Sequence, residues 1–313
     1  MIRELGKSGL RVSPLVLGGN VFGWNLTGDE AFRVLDRFVA GGGVMIDTAD
    51  VYSKWAPGNR GGESESLIGD WLRRRGRRDD VLIATKVGFD EGLSAATIER
   101  GIEASLGRLG TDHVDLYFSH KDDPATPLEE SLGAFDRLVK AGKVRAIGAS
   151  QIGPERLEEA LAVSRREGLA SYSVLQTEYN LMDRSAYEGP LRDVVVRHGL
   201  GMVAFYGLAN GYLTGKYREP SDLAKSPRGD RAKRYMEGKG PKVLAVLDEV
   251  ATETGASPAQ VALAWLAAQP GVTAPIASAT SVAQLDELLG VLDLQLGEDQ
   301  IARLSASSDS TSK

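Results

Sequence analysis

Four polar side chains of different chemistry follow three apolar, β-branched runs of the sequence. Asp47 ends "VMID", and Tyr52 lies five residues after it. Lys86 follows "VLIAT", and His120 follows "VDLYFS". Runs of this kind are typical of parallel strands buried on both faces. Because the carboxyl ends of such strands open on one rim of a barrel, we expect an acid, a phenol, an amine and an imidazole to meet there.

This set of groups suits the protonation of a carbonyl oxygen while a hydride reaches its carbon. A tyrosine with an ordinary pKa of about 10 is a poor acid near neutrality, and a lysine cation beside it favours the phenolate. Tyr52 would be the acid, and Asp47 would orient the ammonium of Lys86. His120 would donate a hydrogen bond to the carbonyl oxygen and polarise it. Each residue alone also has an ordinary structural explanation, but their positions at successive strand ends favour a shared site.

The elements that must position these groups form a regular alternation of strands and helices. From residue 44 to about 202 the strands recur every ~30 residues, which is the size of a βα unit. An N-terminal hairpin is predicted over "IRELGKSGLRVSP". One helix, "TPLEESLGAFDRLVKAGK", is expected to begin with Thr126 as its N-cap. The predicted strands cover residues 13–18, 44–48, 81–85, 114–118, 144–149, 172–176, 201–205 and 272–276.

Eight strands with helices between them predict an α/β fold, a (β/α)8 TIM barrel. The gap after the seventh strand indicates a polar loop over 206–241 and an extra helix over 242–254, and a further helix is expected at the C-terminus. An open doubly wound sheet is the alternative, but the chain has no G-x-G-x-x-G. We expect one domain over 1–313, with 305–313 as a disordered tail.

Composition narrows the class of protein. The chain has 313 residues, 42% of them hydrophobic, with 37 Lys and Arg against 43 Asp and Glu. This mildly acidic balance argues against a nucleic-acid partner. The absence of cysteine excludes a thiolate nucleophile and a Cys-ligated metal, and no metal is expected. The start lacks the apolar core of a secretory signal, and no apolar run approaches the ~20 residues of a membrane helix. These features predict a soluble, cytoplasmic protein that is not attached to a membrane.

The motifs resemble those of the aldo-keto reductases, of the bacterial type, over nearly the whole chain. The segments "IDTADVY", "IATK" and "VDLYFSH" are similar to those that carry the family's Asp-Tyr-Lys-His tetrad, and the tetrad falls on Asp47, Tyr52, Lys86 and His120. "IGAS", "LQTEYN" and "GYLTGKY" are similar to three cofactor-binding segments. The resemblance implies a TIM barrel that binds NADPH and delivers its hydride to a small carbonyl substrate, an aldehyde or a ketone.

The resemblance also assigns residues to the nicotinamide end of the cofactor. Ser150 and Gln176 would hydrogen-bond the carboxamide. Phe205 would stack on the ring, with Tyr206 as the near alternative. Gln151 stands where the family usually has Asn, which lengthens the side chain by one methylene.

The pyrophosphate and adenine segments follow from the same resemblance. "LANGYLTGK" would cover the pyrophosphate, with contacts from Leu208, Gly211 and Lys216. Many relatives carry Arg or Lys in the adenine-end segment, but here the segment is uncharged, and its candidate residues are Ser278, Thr280 and Gln284. The loop over 216–242, with nine Lys or Arg against four Asp or Glu, is the compensating candidate. We expect NADPH to be the cofactor, with NADH as the alternative.

The substrate pocket is expected to contain Trp24 and Trp55, whereas Phe89 is expected to pack in the core. The leading function is an NADPH-dependent reductase with Tyr52 as general acid. Two alternatives stay open: an NAD-dependent sugar or alcohol dehydrogenase that uses the same site, and a redox-sensing, cofactor-binding module resembling the potassium-channel β-subunits. The oligomeric state does not follow from the sequence.

Overall fold

A closed barrel of eight parallel strands forms the centre of the protein, whose computed structural model describes residues 2–226 and 229–309. The strands follow one another around the barrel in chain order, and the last pairs with the first to close it. The (β/α)8 prediction is therefore confirmed. The barrel strands are β3 (Val16–Gly18), β4 (Met45–Asp47), β5 (Leu82–Val87), β6 (Val114–Ser119), β7 (Val144–Ser150), β8 (Tyr172–Glu178), β9 (Gly201–Phe205) and β10 (Val272–Ala277).

Helices surround the barrel and connect its strands, and the predicted additions are present. One extra helix, α8, follows β9, and another, α11, ends the described chain and packs against α8. The helices are α1 (Gly28–Ala40), α2 (Glu63–Arg75), α3 (Ala95–Leu109), α4 (Leu128–Lys140), α5 (Pro154–Glu167), α6 (Pro190–His198), α7 (Gly229–Ala232), α8 (Gly240–Thr254), α9 (Pro258–Ala267), α10 (Val282–Leu289) and α11 (Glu298–Ser308). None of the helices in the described ranges is long and apolar enough to cross a membrane.

A short antiparallel hairpin, β1 (Arg3–Glu4) and β2 (Arg11–Val12), closes the end of the barrel where the strands begin. Its apolar residues Leu5, Leu10 and Val12 are buried against the side chains that fill the barrel. Between the two strands Gly6 lies so close to Gly201 that a Cβ would be 2.0 Å from the Gly201 nitrogen. With one end sealed, the site must lie at the other end.

Two local predictions are wrong. Helix α4 starts at Leu128 after Pro127, and the Thr126 hydroxyl donates to Asp123 Oδ2 at 2.6 Å instead of capping the helix. The tail predicted to be disordered from 305 is helical through Ser308, because Ser307 and Ser308 are buried. Residues 310–313 of that prediction lie outside the described residues.

Candidate active site

Lys86 lies at the centre of a polar cluster at the carboxyl ends of β4 and β5. Its Nζ is 2.7 Å from Asp47 Oδ2 and donates to the carbonyl oxygen of Thr48 at 2.7 Å and to the hydroxyl of Tyr52 at 2.9 Å. An ammonium has three N–H groups, so each one has an acceptor. The side chain is 0% exposed, and this complete pairing is what permits a buried cation.

Tyr52 enters the cluster from the loop that follows β4. Its hydroxyl is 3.2 Å from Asp47 Oδ2, and the Lys86 ammonium lies 4.5 Å from its ring centre. The next residue, Ser53, has a positive φ of 71° and donates its hydroxyl to the Phe22 carbonyl at 2.6 Å. This anchored turn fixes where the phenol points. The structure therefore brings together Asp47, Tyr52 and Lys86.

His120 faces the same cluster from the end of β6. Its backbone N–H donates to the Val87 carbonyl at 2.8 Å, and its ring lies edge-on to Tyr52 with centroids 6.0 Å apart. The side chain is buried, and Nδ1 makes no hydrogen bond within the described residues. A second ring, Phe89, packs on it at 4.9 Å. An imidazole in this place has hydrogen-bonding capacity available for a bound molecule.

Burial sets the protonation states of the cluster. It raises the pKa of Tyr52 well above 10, and the Asp47 carboxylate raises it further. It lowers the pKa of Lys86, against the opposing effect of Asp47. It also lowers the pKa of His120 well below its usual value, with Lys86 and Lys121 acting in the same direction. The expected lowering of the Tyr52 pKa by Lys86 is therefore outweighed, and the site holds a protonated phenol beside a neutral imidazole.

Gln176 takes part in this cluster, which the sequence analysis did not foresee. Its side-chain N–H donates to Asp47 Oδ1 at 2.8 Å from across the barrel. The other oxygen, Oδ2, accepts from Lys86 and Tyr52, so both carboxylate oxygens of Asp47 are engaged. Gln176 was predicted to bind the nicotinamide carboxamide, which stays a prediction. In the structure, its side-chain amide nitrogen donates to Asp47.

Several buried polar atoms near this rim lack partners within the described residues. They include His120 Nδ1 after β6, Ser150 Oγ at the end of β7, and Asn210 Oδ1 in the segment after β9. Unpaired buried polar groups are costly, and their concentration at one rim fits a site that a polar ligand completes. Ser150 lies at this rim, and its role as a cofactor ligand stays a prediction. The side chain of Gln151 is exposed, and its Nε2 donates to the His120 carbonyl at 3.1 Å.

The segment after β9 has an unusual backbone. Tyr206, Ala209 and Asn210 are not glycines, yet their φ angles are 55°, 47° and 57°. Left-handed backbone at non-glycine residues is strained and concentrates at functional sites. The other predicted cofactor residues of the stretch lie here: Phe205 is half-buried at the end of β9, Leu208 precedes the 3-10 turn, Gly211 has φ 91°, and Lys216 is exposed beside Tyr217.

The polar side chains of the uncharged segment after β10 already have hydrogen-bond partners within this chain. Ser278 Oγ donates to Asn20 Oδ1 at 2.7 Å, and the backbone N–H of Thr280 donates to Gln284 Oε1 at 2.9 Å. In the loop over 216–242, three cations are already paired with acids of this chain: Arg218 with Asp248, Lys225 with Asp222, and Arg234 with Asp183.

Aromatic side chains border the opening. Trp24 and Trp55 meet edge to face at 5.8 Å, and Trp55 lies 6.1 Å from the ring of Tyr52. Trp55 is 50% exposed and Phe89 is 39% exposed. The expectation that Phe89 belongs to the core is therefore wrong: it lies at the rim because its neighbour His120 occupies the buried position.

A TIM barrel with a Lys-Asp-Tyr cluster and a histidine at the carboxyl ends of its strands defines a class of barrel oxidoreductases. Comparison with known families gives the same class. The model of the Aldo/keto reductase family matches residues 14–309. The chain belongs to this family, whose members generally use NAD(P)H and act on small carbonyl compounds.

Individual relatives extend over almost the entire chain. "Uncharacterized oxidoreductase YrpG" of Bacillus subtilis is 36% identical, over 96% of this chain and 94% of its own. L-glyceraldehyde 3-phosphate reductase of Escherichia coli is 33% identical, over 93% of this chain and 87% of its own. A probable voltage-gated potassium channel subunit beta of Arabidopsis thaliana is 34% identical, over 93% of this chain and 91% of its own. The family thus includes relatives named for different functions.

Proposed function

We propose that the protein reduces an aldehyde or a ketone to the alcohol, with Tyr52 as general acid and NADPH as the hydride source. The observation that carries this proposal is the buried hydrogen-bonded group of Asp47, Lys86 and Tyr52 at the rim, with His120 beside it. A bound nicotinamide dinucleotide supplies the hydride. The unpaired Ser150 and Asn210 oxygens at the same rim are suitable partners for such a molecule.

Tyr52 holds the proton that the reaction needs. Its raised pKa keeps the phenol protonated near neutrality, so the proton leaves only when negative charge develops on the substrate oxygen. At that moment Lys86, 2.9 Å from the phenolic oxygen, stabilises the forming phenolate. The Lys86 ammonium is already beside the phenol before the proton leaves, so this stabilisation needs no rearrangement.

The neighbouring groups orient the donor and the acceptor. Asp47 holds the Lys86 ammonium, and Gln176 fixes the carboxylate through its second oxygen. His120, neutral because of burial, can donate one N–H to the substrate oxygen. The carbonyl oxygen would then lie between Tyr52 and His120, which fixes the angle of the carbonyl.

The cofactor preference has a second candidate, NADH, which a specific observation favours. A 2′-phosphate binds best to Arg or Lys, and the segment after β10 carries neither. The ion pairs of Arg218, Lys225 and Arg234 reduce the positive charge that the loop over 216–242 can offer to a phosphate. With NAD⁺, the same site would oxidise an alcohol or a sugar.

The exposed aromatic rim indicates the substrate. We place the organic part of the carbonyl compound against Trp24 and Trp55, close to the Tyr52 hydroxyl. Exposed aromatic rings at a pocket favour apolar or aromatic groups. The protein would carry out this reaction in the cytoplasm.

Nicotinamide absorbance tests the proposal. Wild type is mixed with an aromatic aldehyde and either NADPH or NADH, beside Tyr52→Phe and the matched control Tyr172→Phe, which alters a buried tyrosine at the start of β8. We expect Tyr52→Phe to lower kcat about 10²- to 10⁴-fold. Cofactor affinity, followed by fluorescence titration, should stay nearly constant, and the control should behave like wild type.

Different results would lead to different conclusions. Full activity in Tyr52→Phe would remove this residue as the acid. Tight cofactor binding without turnover on any carbonyl substrate would favour a redox-sensing module. The relative named as a potassium channel subunit beta motivates this alternative. The ratio of kcat/KM for the two cofactors decides between NADPH and NADH.

A further inference from the structure

A cavity of about 220 Å³ lies at the hairpin end of the barrel, the end opposite Tyr52. It is bounded by the N-terminal hairpin, the last turn of α9 and the segment over 291–296, which leads from α10 to α11. Most of its lining is apolar. Alanines of α9 form one side, and Leu292, Leu294 and Leu296 form the other, each half-buried and alternating with exposed polar residues. The side chains that surround this apolar space do not fill it.

Arg3 is the charged residue of the lining. Its Nη1 donates to the carbonyl oxygens of Ala267 and Thr273 at 2.9 and 3.0 Å. Because Ala267 also lines the cavity, the guanidinium lies at the cavity wall. A guanidinium has five N–H donors, of which Nη1 carries two. The donors on Nε and Nη2 make no hydrogen bond within the described residues, so they are available to another molecule.

Arg3 also has no acidic partner in the described part of the chain. Its neighbour Glu4 pairs instead with Arg11 on the exposed side of the hairpin, at 3.0 Å. Burial lowers the pKa of Arg3, and no carboxylate opposes this effect. The full charge of the guanidinium exceeds the partial negative charge at the end of α9. The cavity therefore has a cation at its wall that no acid of this chain neutralises.

The free donors and the size of the cavity define the chemistry of a ligand. The N–H groups on Nε and Nη2 of an arginine form a fork that matches the two oxygens of a carboxylate. A cavity of about 150 Å³ holds benzene, so the larger volume here has room for a ring that carries one carboxylate. Phosphate fits less well, because its remaining oxygens would lose their hydration against apolar walls.

We propose that this cavity binds a small monocarboxylate with an apolar body. The carboxylate pairs with Nε and Nη2 of Arg3, and the apolar body packs between α9 and the three leucines of the segment over 291–296. Such a ligand contacts the hairpin, α9 and this segment at once, and it stabilises the folded chain because the unfolded chain has no such site. The inference does not depend on the proposed reaction, since the cavity shares no residue with the site around Tyr52.

Benzoate is the probe, and titration calorimetry without nicotinamide cofactor measures its affinity. We expect a Kd on the order of 1 mM or lower. Benzyl alcohol, which lacks the charge, and acetate, which lacks the apolar body, should each bind at least about tenfold more weakly. Hydrogen exchange locates the ligand. Benzoate should slow exchange in the segment over 291–296 and at the end of α9, and should leave the loop that carries Tyr52 unchanged.

Two variants test the site from its two sides. Arg3→Gln removes the cation and should weaken benzoate binding at least about tenfold. Since Arg3 also holds the hairpin, Ala267→Leu gives an independent test: it keeps Arg3, extends a side chain into the cavity and should weaken binding to a similar extent. Arg11→Gln alters an exposed arginine of the same hairpin and should bind benzoate like wild type.

Three results would overturn the proposal. Equal affinities for benzoate and benzyl alcohol would mean that Arg3 recognises no carboxylate. Binding that survives Ala267→Leu but is lost in Trp55→Ala would place the ligand at the opposite rim. No binding of benzoate at about ten times the expected Kd would mean that the cavity takes no ligand of this class. None of these measurements uses turnover, so they remain interpretable if the carbonyl reductase assignment fails.

Discussion

Both carboxylate oxygens of Asp47 accept hydrogen bonds, and the Lys86 ammonium has an acceptor for each of its protons. Such a fully paired buried group has one arrangement of low energy, because any departure leaves a charge without a partner. In the proposed reaction Tyr52 is the member with a role outside the group, since it would give its proton to the substrate. At the scale of single residues, Asp47 and Lys86 therefore fix the geometry of the group, whereas Tyr52 supplies the proton in the proposed reaction.

The aromatic rim gives the prediction for individual residues. Trp24→Ala and Trp55→Ala should each raise KM for aromatic aldehydes at least about threefold, because the truncated side chain no longer contacts the ring of the substrate. kcat should change little, since Tyr52 keeps its contacts with Asp47 and Lys86 in both variants. A short aliphatic aldehyde serves as the control and should keep its KM. Steady-state kinetics with the two substrates measure both effects, and unchanged constants would exclude these tryptophans from the pocket.

The meeting of Asp47, Tyr52, Lys86 and His120 at one rim could be predicted from the sequence, because they follow apolar runs and parallel strands in a barrel end on the same rim. The contact between Gln176 and Asp47 could not be predicted in the same way. Gln176 reaches Asp47 across 129 positions of the chain, and which side chains meet inside a barrel depends on its stagger.

At the scale of elements, the apolar runs located all eight strands to within about three residues at each end. The first residues of the helices were harder to predict than the strands, as α4 illustrates. Threonine before proline is a common N-cap pattern, but Asp123 three residues earlier competes for the Thr126 hydroxyl. At α9 no such competitor intervenes, and Ser257 and Gln260 form a reciprocal capping box.

The capping box of α9 can be tested by Ser257→Ala. The change removes the acceptor for the Gln260 N–H, and we expect the free energy of unfolding to fall by about 1 kcal/mol. Thr252→Ala is the control, because it removes a hydroxyl from the exposed face of α8 without removing a cap. Chemical denaturation of the three proteins gives the comparison. Equal stabilities of wild type and Ser257→Ala would mean that the cap contributes nothing.

At the scale of the whole molecule, the two ends of the barrel differ in role. The hairpin closes the end where strands begin, and the polar cluster occupies the end where they finish. Arg3 attaches the hairpin to the last part of the barrel, since its Nη1 donates to the carbonyls of Ala267 and Thr273 at 2.9 and 3.0 Å. Stability and chemistry should therefore be separable by mutation.

Arg3→Ala should lower the free energy of unfolding by about 1–3 kcal/mol, because two carbonyls lose a charged donor. The kcat/KM value should stay close to that of wild type. Arg11→Ala in the same hairpin is the control: its ion pair with Glu4 is largely exposed, and such pairs contribute little. Thermal unfolding and steady-state assays measure both effects. A large loss of activity in Arg3→Ala would contradict the separation of the two ends.

The pairing of β10 with β3 also bears on how the protein is made. Residues 16 and 17 pair with residues 276 and 277, so the ring of strands cannot close until residue 277 has left the ribosome. Until then β3 presents an unpaired edge, and such edges are sites of aggregation. The hairpin precedes β3 in the chain, yet Arg3 can make its contacts only after residues 267 and 273 have been synthesised. Slow translation of the segment between β9 and β10 would thus prolong the time during which β3 has an unpaired edge.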